Sequence, residues 1–209
     1  MDIRTIRKLL NSFDGYHSLV YPMLKDKLSM YSHIERWNSP IPYARRHLFF
    51  EHFYLLIAKH IKENNLKRKY KQIIDIGCEF GFQQIIFDDF KYIGIDNTTR
   101  LMFFEDGNDK VSFLRESFPD ISISLKDSIV ISSMSLGYFN EHHDVTDEIL
   151  YDKLQEAEVL YIKTTDSLRQ LLLPSFDVSE RIEGMTITGK TYDLWYMKSD
   201  VNKKVLLAE

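Results

Sequence analysis

Apolar residues recur at a spacing of three and four residues in the first third of the chain and in short uninterrupted runs after it. The first pattern predicts amphipathic helices over residues 2–12, 16–32 and 43–65, and the two prolines of WNSPIPY separate the last helix from the others. From Gln72 onward, short apolar runs alternate with helical patterns, which is typical of parallel strands joined by crossover helices. The chain is therefore predicted to begin with a helical segment and to continue as an α/β domain.

Short apolar runs in this second part predict the strands of a mostly parallel sheet. They are IIDI, YIGI, VSFL, SIVISSM and EVLYIKT. Helices are predicted in FQQIIFDDF, over residues 144–157, and in DSLRQLLL, which Pro174 ends. The tail, from FDVSERI to YDLWYMKS, has two strand patterns with no helix between them. The predicted fold is α/β, a doubly wound, mostly parallel seven-stranded sheet that ends in an antiparallel hairpin, with an N-terminal helical cap.

Composition and charge add two constraints. Hydrophobic residues make up 44% of the chain and charged residues 28%, as in ordinary globular proteins. Residues 1–71 hold 14 Lys and Arg against 6 Asp and Glu, so the remainder holds 13 against 25. The interpretation we favour for this asymmetry is that the basic and acidic parts present solvated faces that attract each other. The alternative is that the basic part forms a surface for an anionic substrate such as RNA.

Several classes of protein are disfavoured by what the sequence lacks. The single cysteine, Cys78, excludes a disulfide framework, and no convincing set of metal ligands is visible. The N-terminus has no signal-peptide pattern, and the most apolar helical stretch is interrupted by charged residues. We therefore expect a cytoplasmic protein that holds no metal and does not span a membrane.

The stretch KQIIDIGCEFGFQQIIFDDFKYIGIDN joins two buried strands through a loop that contains two glycines. A loop that leaves a strand and opens a helix presents N–H groups to an anionic ligand, and Gly77 and Gly81 allow a close approach to its main chain. Asp75 precedes the loop, and Asp96 ends the next strand, where a carboxylate can accept both hydroxyls of a ribose. The fingerprint G-x-G-x-x-G is absent, which disfavours NAD and FAD.

These residues resemble the first motif of the class I S-adenosylmethionine-dependent methyltransferases, an acidic residue followed by x-G-x-G-x-G. Here the motif is DIGCEFG, from Asp75 to Gly81, with Glu79 in place of the middle glycine. DSIVISSMSLGYF resembles the family's fourth-strand segment, and the final strand pair resembles its antiparallel sixth and seventh strands. The resemblance covers residues 71–199. It implies a Rossmann-like domain over residues 71–209, behind a cap or substrate segment over residues 1–70.

The resemblance also implies S-adenosylmethionine as the cofactor and a set of residues that bind it. Asp75 would orient the methionine amine through water, and Asp96 would hold the ribose. Either Glu116 or Asp127 would supply an acidic group near the adenine, and Glu116 is preferred because it lies just past VSFL. Ser133 and Met134 would flank the adenine or the methyl group. The predicted cofactor-binding residues are Asp75, Gly77, Cys78, Gly81, Asp96, Asn97, Glu116, Ser133 and Met134.

Candidates for catalysis and for substrate binding lie outside the glycine loop. His142 and His143 follow the fourth strand, and histidine suits a general base near neutral pH when the acceptor carries a proton. A solvated loop is the alternative for this pair. Tyr43 and Arg46 follow the proline break and are candidates to cover the cofactor or to hold an acidic substrate. An exposed helix start is the alternative for these two residues.

The expected function is methyl transfer from S-adenosylmethionine to a small molecule or another acceptor that is not DNA. The segment SSMSLGYF lacks the Asn/Asp-Pro-Pro-Tyr signature of enzymes that methylate the amine of adenine, and no Pro-Cys nucleophile exists for C5 of cytosine. Two alternatives stay open. One is a methyltransferase-like binding protein that has lost catalysis, which Glu79 suggests. The other is an RNA methyltransferase that uses the basic N-terminal segment.

Overall fold

A mixed sheet forms the centre of the protein. The computed structural model describes residues 53–78, 81–97, 109–133, 135–136, 144–187 and 190–199. The strands are β1 (Gln72–Ile76), β2 (Lys91–Ile95), β3 (Val111–Leu114), β4 (Ser128–Ser132), β5 (Val159–Ile162), β6 (Val178–Ile187) and β7 (Lys190–Lys198). They form a seven-stranded sheet in the order β3-β2-β1-β4-β5-β7-β6. The predicted helices over residues 2–12 and 16–32, and the start of the one predicted over residues 43–65, lie outside these ranges.

The strands from β1 to β5 run parallel to one another, and the last two reverse direction. β1 pairs in parallel with both β2 and β4, β2 pairs with β3, and β4 pairs with β5. β7 pairs antiparallel with β5 on one side and with β6 on the other. The predicted fold class is therefore confirmed. The uninterrupted apolar runs of the parallel strands follow from burial on both faces, since all of β4 and β5 is buried.

Among the described residues, α-helices pack on the sheet. Residues 53–63 are helical (α1), and α2 (Asp147–Leu154) and α3 (Asp166–Leu172) follow later in the chain. Thr146 and Thr165 cap α2 and α3, because each side chain accepts a hydrogen bond from a backbone N–H three residues on. α2 begins later than the prediction over residues 144–157, because Asp144 has a φ of 54° and lies in the left-handed region.

The segment after the glycine loop forms a 3-10 helix, Phe82–Phe87, where the sequence predicted a helix over FQQIIFDDF. Its N-cap is Gly81, whose φ of 69° lies in the left-handed region. The described residues also form 3-10 turns over Leu66–Arg68, which precedes β1, and over Leu173–Ser175. Pro174 lies in the latter turn, directly after α3, as the sequence predicted.

Alternating side chains divide the core into two clusters, one on each face of the sheet. The first face carries α1, and its cluster includes Ile73, Tyr92, Ile129 and Tyr161. The second face carries α2 and α3, and its cluster is formed by the intervening strand residues together with leucines of those two helices. The two-residue period of a strand explains this division, because successive side chains point to opposite faces.

Helix α1 lies against the first face and shares its core. Phe53, Ile57 and Ile61 are buried in the same cluster as the strand residues of that face. His60 adds a polar contact, because a hydrogen bond of 2.8 Å joins its Nδ1 to the hydroxyl of Tyr161. The described end of the predicted cap is therefore packed on the sheet. Within the ranges given above, the structure has no helix that is both long enough and apolar enough to cross a bilayer.

Candidate functional site

The direction in which successive strands are added to the sheet reverses between β1 and β4, so a crevice is expected at the carboxyl ends of these two strands. The chain leaves β1 toward β2 on one side, whereas β4 lies on the other side. Open α/β sheets bind ligands in the crevice outside the strand ends at such a point. The glycine loop, residues 77–81, follows β1 here, and the segment that begins at Ser133 follows β4. This edge of the sheet is the candidate site.

Gly77 is required where the two segments meet. Its φ is 69°, and a Cβ added to it would lie 2.2 Å from the Cβ of Ser135. The hydroxyl of Ser135 donates to the carbonyl of Ile76 at 2.7 Å and lies 2.6 Å from the hydroxyl of Ser132. These contacts bring the segment after β4 against the start of the glycine loop. Both the backbone conformation and the lack of space therefore favour glycine at this position.

Phe113 of β3 packs against two other glycines of the site. A Cβ on Gly81 would lie 2.2 Å from Cε1 of Phe113, and Gly81 also has a φ of 69°. A Cβ on Gly94 would lie 2.7 Å from both the Phe113 ring and the Sγ of Cys78. Phe113 was not among the residues predicted from the sequence. The signal that could have identified it is Gly94 inside an apolar strand, since a glycine there often marks a close approach by another group.

The described backbone amides of the glycine loop, those of Gly77, Cys78 and Gly81, donate within the protein. The N–H groups of Gly77 and Cys78 both donate to the carbonyl of Ile95, at 2.7 and 3.2 Å. The N–H of Gly81 donates to the carbonyl of Cys78 at 2.9 Å. The sequence-based prediction that the loop presents free N–H groups is therefore wrong for these three residues, because the end of β2 and the loop itself already accept from them.

Asp75 lies beneath this loop with its carboxylate fully buried. Its Oδ2 accepts from the amide of Gln83 and from the hydroxyl of Tyr92, both at 2.6 Å. Its Oδ1 accepts from the hydroxyl of Tyr54 at 3.1 Å. We refer to Tyr54, Asp75, Gln83 and Tyr92 as the Asp75 cluster. Protein donors thus surround the carboxylate that was predicted to orient the methionine amine.

Burial raises the pKa of Asp75 to about 7. The hydrogen bonds from Tyr92, Gln83 and Tyr54 oppose this effect, in that order, and the nearby charge of Asp96 adds to it. Burial also raises the pKa of Tyr92 well above its ordinary value, so that its hydroxyl keeps the proton that it donates. A carboxyl group in such surroundings changes its charge near neutral pH.

Asp96 and Asn97 follow β2 at the same edge of the sheet. Asp96 is half-buried, and its N–H donates to the carbonyl of Leu114 at 3.1 Å. The residue before it supplies the carbonyl that accepts from Gly77 and Cys78, so Asp96 lies next to the glycine loop. The exposed Asn97 donates from its side-chain amide to the hydroxyl of Ser117 at 3.3 Å.

The two acidic candidates for the adenine region lie at opposite edges of the sheet. Glu116 follows β3 at the carboxyl edge, where its oxygens accept from the backbone N–H and the hydroxyl of Ser122 at 2.7 and 2.6 Å. These hydrogen bonds lower the pKa of Glu116. Asp127 directly precedes β4 and therefore lies at the amino edge, away from the glycine loop. The topology favours Glu116 of the two.

Ser133 directly follows β4 and has a buried hydroxyl. The residue is 4% exposed, and its Oγ has no hydrogen-bond partner among the residues that the structure describes. A buried hydroxyl without a partner is costly, which points to a ligand or water that would satisfy it.

The remaining predicted site residues lie outside the described ranges, as does Glu79; they are Tyr43, Arg46, Met134, His142 and His143. Across those ranges, the structure groups no set of His, Cys, Asp and Glu that could hold a metal ion.

The contact between Gly77 and Ser135 predicts that Ser135→Gly changes the free energy of unfolding in opposite directions in the natural protein and in the Gly77→Ala variant. Gly77→Ala should lower the free energy of unfolding by more than the roughly 1–2 kcal/mol that a left-handed backbone alone costs. Ser135→Gly should destabilise the natural protein, because it removes the hydrogen bond to Ile76, but stabilise the Gly77→Ala variant by making room. Urea unfolding measures both effects. A destabilising effect of Ser135→Gly in both backgrounds would contradict the contact.

The raised pKa of Asp75 predicts how stability changes with pH. Because the folded protein favours the protonated carboxyl group, its contribution to stability is fully present below the ordinary pKa of 3.8 and is lost as pH rises through about 7. Asp75→Asn has no such titration. Urea unfolding from pH 4 to pH 8 should therefore show the variant gaining on the natural protein by up to about 4 kcal/mol. A difference that stays constant with pH would contradict this assignment.

No protein-family model matches this chain, and no curated protein matches its sequence. Its fold is similar to that of the bifunctional kinase-methyltransferase WbdD, with a TM-score of 0.54 and 13% identity over 68% of this chain and 38% of WbdD. It is also similar to magnesium protoporphyrin IX methyltransferase (ChlM) from Synechocystis PCC 6803 with bound SAM, with a TM-score of 0.55 and 10% identity over 75% of this chain and 83% of ChlM.

These likenesses concern the fold, because the identities are low. The chain spans less than half of WbdD, so the rest of that protein has no counterpart in the match. The strand order, the parallel strands from β1 to β5 and the antiparallel final pair agree with the fold that the glycine-loop motif implied. The protein therefore has the class I methyltransferase fold.

Proposed function

We propose that this protein is an S-adenosylmethionine-dependent methyltransferase that acts on a small molecule or another acceptor that is not DNA. The observation that supports this proposal most directly is the position of Asp96. Its half-buried carboxylate follows β2 and lies beside the glycine loop, at the switch point of a methyltransferase-fold sheet. A carboxylate in this position is suited to accept hydrogen bonds from the two hydroxyls of a ribose.

The residues present fit the nucleoside part of the cofactor. Asp96 would hold the ribose, and the buried Ser133 hydroxyl, which has no partner among the described residues, would bind a polar group near the adenine or the methyl group. The fit is different at the amino-acid part, because the N–H groups of Gly77, Cys78 and Gly81 already donate to protein carbonyls. Contacts to that part would come from the remaining residues of the site.

When bound, the cofactor supplies a sulfonium methyl group that a nucleophile can displace in line. The protein contributes mainly by bringing the acceptor close to that methyl group in the correct orientation. His142 or His143 would remove a proton from an acceptor that carries one, and Tyr43 and Arg46 would cover the site or hold an acidic acceptor. These four roles rest on the sequence. An RNA acceptor is the variant of this proposal that would use the basic residues 1–71, and it requires RNA binding that weakens steeply with salt.

Calorimetry with S-adenosylmethionine and S-adenosylhomocysteine tests the proposal. The natural protein should bind both, and Asp96→Asn should weaken binding by about tenfold or more because it removes a charged acceptor from the ribose site. Asp152→Asn, an exposed residue of α2, is the matched control and should bind as the natural protein does. No heat with either ligand, or equal affinities for the two aspartate variants, would contradict the proposal.

A second candidate function is ligand binding without methyl transfer. The amides of Gly77, Cys78 and Gly81, which already donate to protein carbonyls, favour it, and so does Glu79, whose charge would oppose the carboxylate of the cofactor. A protein of this kind would bind the cofactor weakly and would not turn it over. Its interaction partner would bind the basic N-terminal segment.

Substitutions of Glu79 separate the two candidate functions. If the natural loop is impaired, Glu79→Gly should raise the affinity for S-adenosylhomocysteine by about tenfold or more, since charge and bulk are both removed. Glu79→Gln removes only the charge, so it shows which of the two causes the impairment. If neither variant gains affinity in calorimetry, the loop is not impaired by Glu79 and the second candidate loses the support that this residue gives it.

A further inference from the structure

We infer that Gln83 is a positioning residue that fixes the glycine loop through the Asp75 cluster, and that Tyr54 makes the loop conformation depend on the docking of helix α1. This inference deepens the proposed function, and it rests on that function only for the identity of the ligand. The couplings themselves are contacts within the protein. They are therefore testable without any ligand.

Gln83, which follows the glycine loop, donates hydrogen bonds to one residue before the loop and to one residue within it. It lies in the 3-10 helix that follows the loop, and its side chain is almost completely buried. Its Nε2 donates to the carboxylate of Asp75, before the loop, at 2.6 Å and to the carbonyl of Cys78, within the loop, at 2.9 Å. One amide group therefore bridges the end of β1 and the middle of the loop.

Tyr54 connects this bridge to helix α1. Its hydroxyl donates to Oδ1 of Asp75 at 3.1 Å, and it lies 3.3 Å from Nε2 of Gln83. Its ring meets the ring of Phe87 edge-on, with 6.2 Å between the centroids. Because Phe87 and Gln83 belong to the same 3-10 helix, one residue of α1 contacts that helix through both a polar and an aromatic contact.

The burial of this cluster makes its members depend on one another. A buried donor or acceptor that loses its partner costs more than the hydrogen bond contributes, because it is cut off from water. Undocking of α1 would remove a donor from Asp75, which also receives the hydrogen bond that anchors Gln83. A change in the position of α1 thereby alters the stability of the loop conformation. By linkage, a ligand that orders the loop also stabilises the docked helix.

Hydrogen exchange of the ligand-free protein tests the role of Gln83. Gln83→Met keeps the length of the side chain but removes the amide, so backbone amides of residues 76–82 should exchange faster by about tenfold or more. Gln72→Met is the matched control, because Gln72 donates from the start of β1 to the hydroxyl of Ser128 at 2.9 Å. It should leave exchange in residues 76–82 unchanged. Equal exchange in the two variants would overturn the inference.

Tyr54→Phe tests the coupling to helix α1 in the same measurement. It should speed exchange both in residues 54–63 and in residues 76–82, and its effect on the loop should not add to that of Gln83→Met, because both act on Asp75. The control is Tyr70→Phe, since Tyr70 is also buried and donates to Glu158 at 2.9 Å. If Tyr54→Phe lowers global stability as the control does but leaves the loop unchanged, the coupling is wrong. This variant also decides the question if Gln83→Met fails to fold.

Affinity for S-adenosylhomocysteine then connects the loop to the proposed function. In Gln83→Met the affinity should fall by about tenfold or more, whereas Gln72→Met should bind as the natural protein does. If the natural protein does not bind, the proposed function fails, while the exchange measurements still decide whether Gln83 and Tyr54 hold the loop. If Gln83→Met exchanges faster in the loop but binds equally well, Gln83 does not position the loop for this ligand.

Discussion

The carboxyl group of Asp75 is buried at the centre of the sheet, and side chains from three surrounding elements donate hydrogen bonds to it. Its donors come from helix α1, from the 3-10 helix after the glycine loop, and from β2. A carboxylate without donors in this position would strongly destabilise the folded protein, whereas the hydrogen bonds from three donors offset part of its desolvation cost. Its pKa of about 7 shows that burial still outweighs the three donors. The positions of Tyr54, Gln83 and Tyr92 are therefore linked through one acidic group.

The glycine loop is shaped by this constraint and by two steric ones. Gln83 donates to Asp75 and to the carbonyl of Cys78 in the loop. The side chain of Ser135 packs against Gly77, and the ring of Phe113 packs against Gly81. The result is a loop whose described amides donate within the protein. The candidate site consequently has the Asp96 carboxylate and the Ser133 hydroxyl at the strand ends, whereas the amides of Gly77, Cys78 and Gly81 already donate to protein carbonyls. In the proposed function, the first two groups would bind the nucleoside of the cofactor. The occupied amides favour the second candidate function, binding without methyl transfer.

Much of the fold was predictable because its signals are local. Buried parallel strands produce apolar runs, and the short spacing between IIDI and YIGI identified the strands that place Asp96 beside the glycine loop. The Asp75 cluster was not predictable in the same way, because its donors lie 8, 17 and 21 residues away from Asp75 in the chain. Periodicity identifies Tyr54 and Tyr92 as core residues, but nothing in the sequence shows that their hydroxyls meet one carboxylate. The occupied loop amides were missed for a similar reason, since their acceptor is mainly the carbonyl of Ile95 in a neighbouring strand.

The proposed function requires that the carboxyl edge of this sheet bind S-adenosylmethionine through Asp96. A crystal structure of the protein grown with S-adenosylhomocysteine is the decisive measurement. We expect a bound nucleoside whose ribose hydroxyls donate to the carboxylate of Asp96 and whose adenine or sulfur lies near Ser133. A structure in which the ligand is absent at saturating concentration, or lies away from the ends of β1, β2 and β4, would rule out this function.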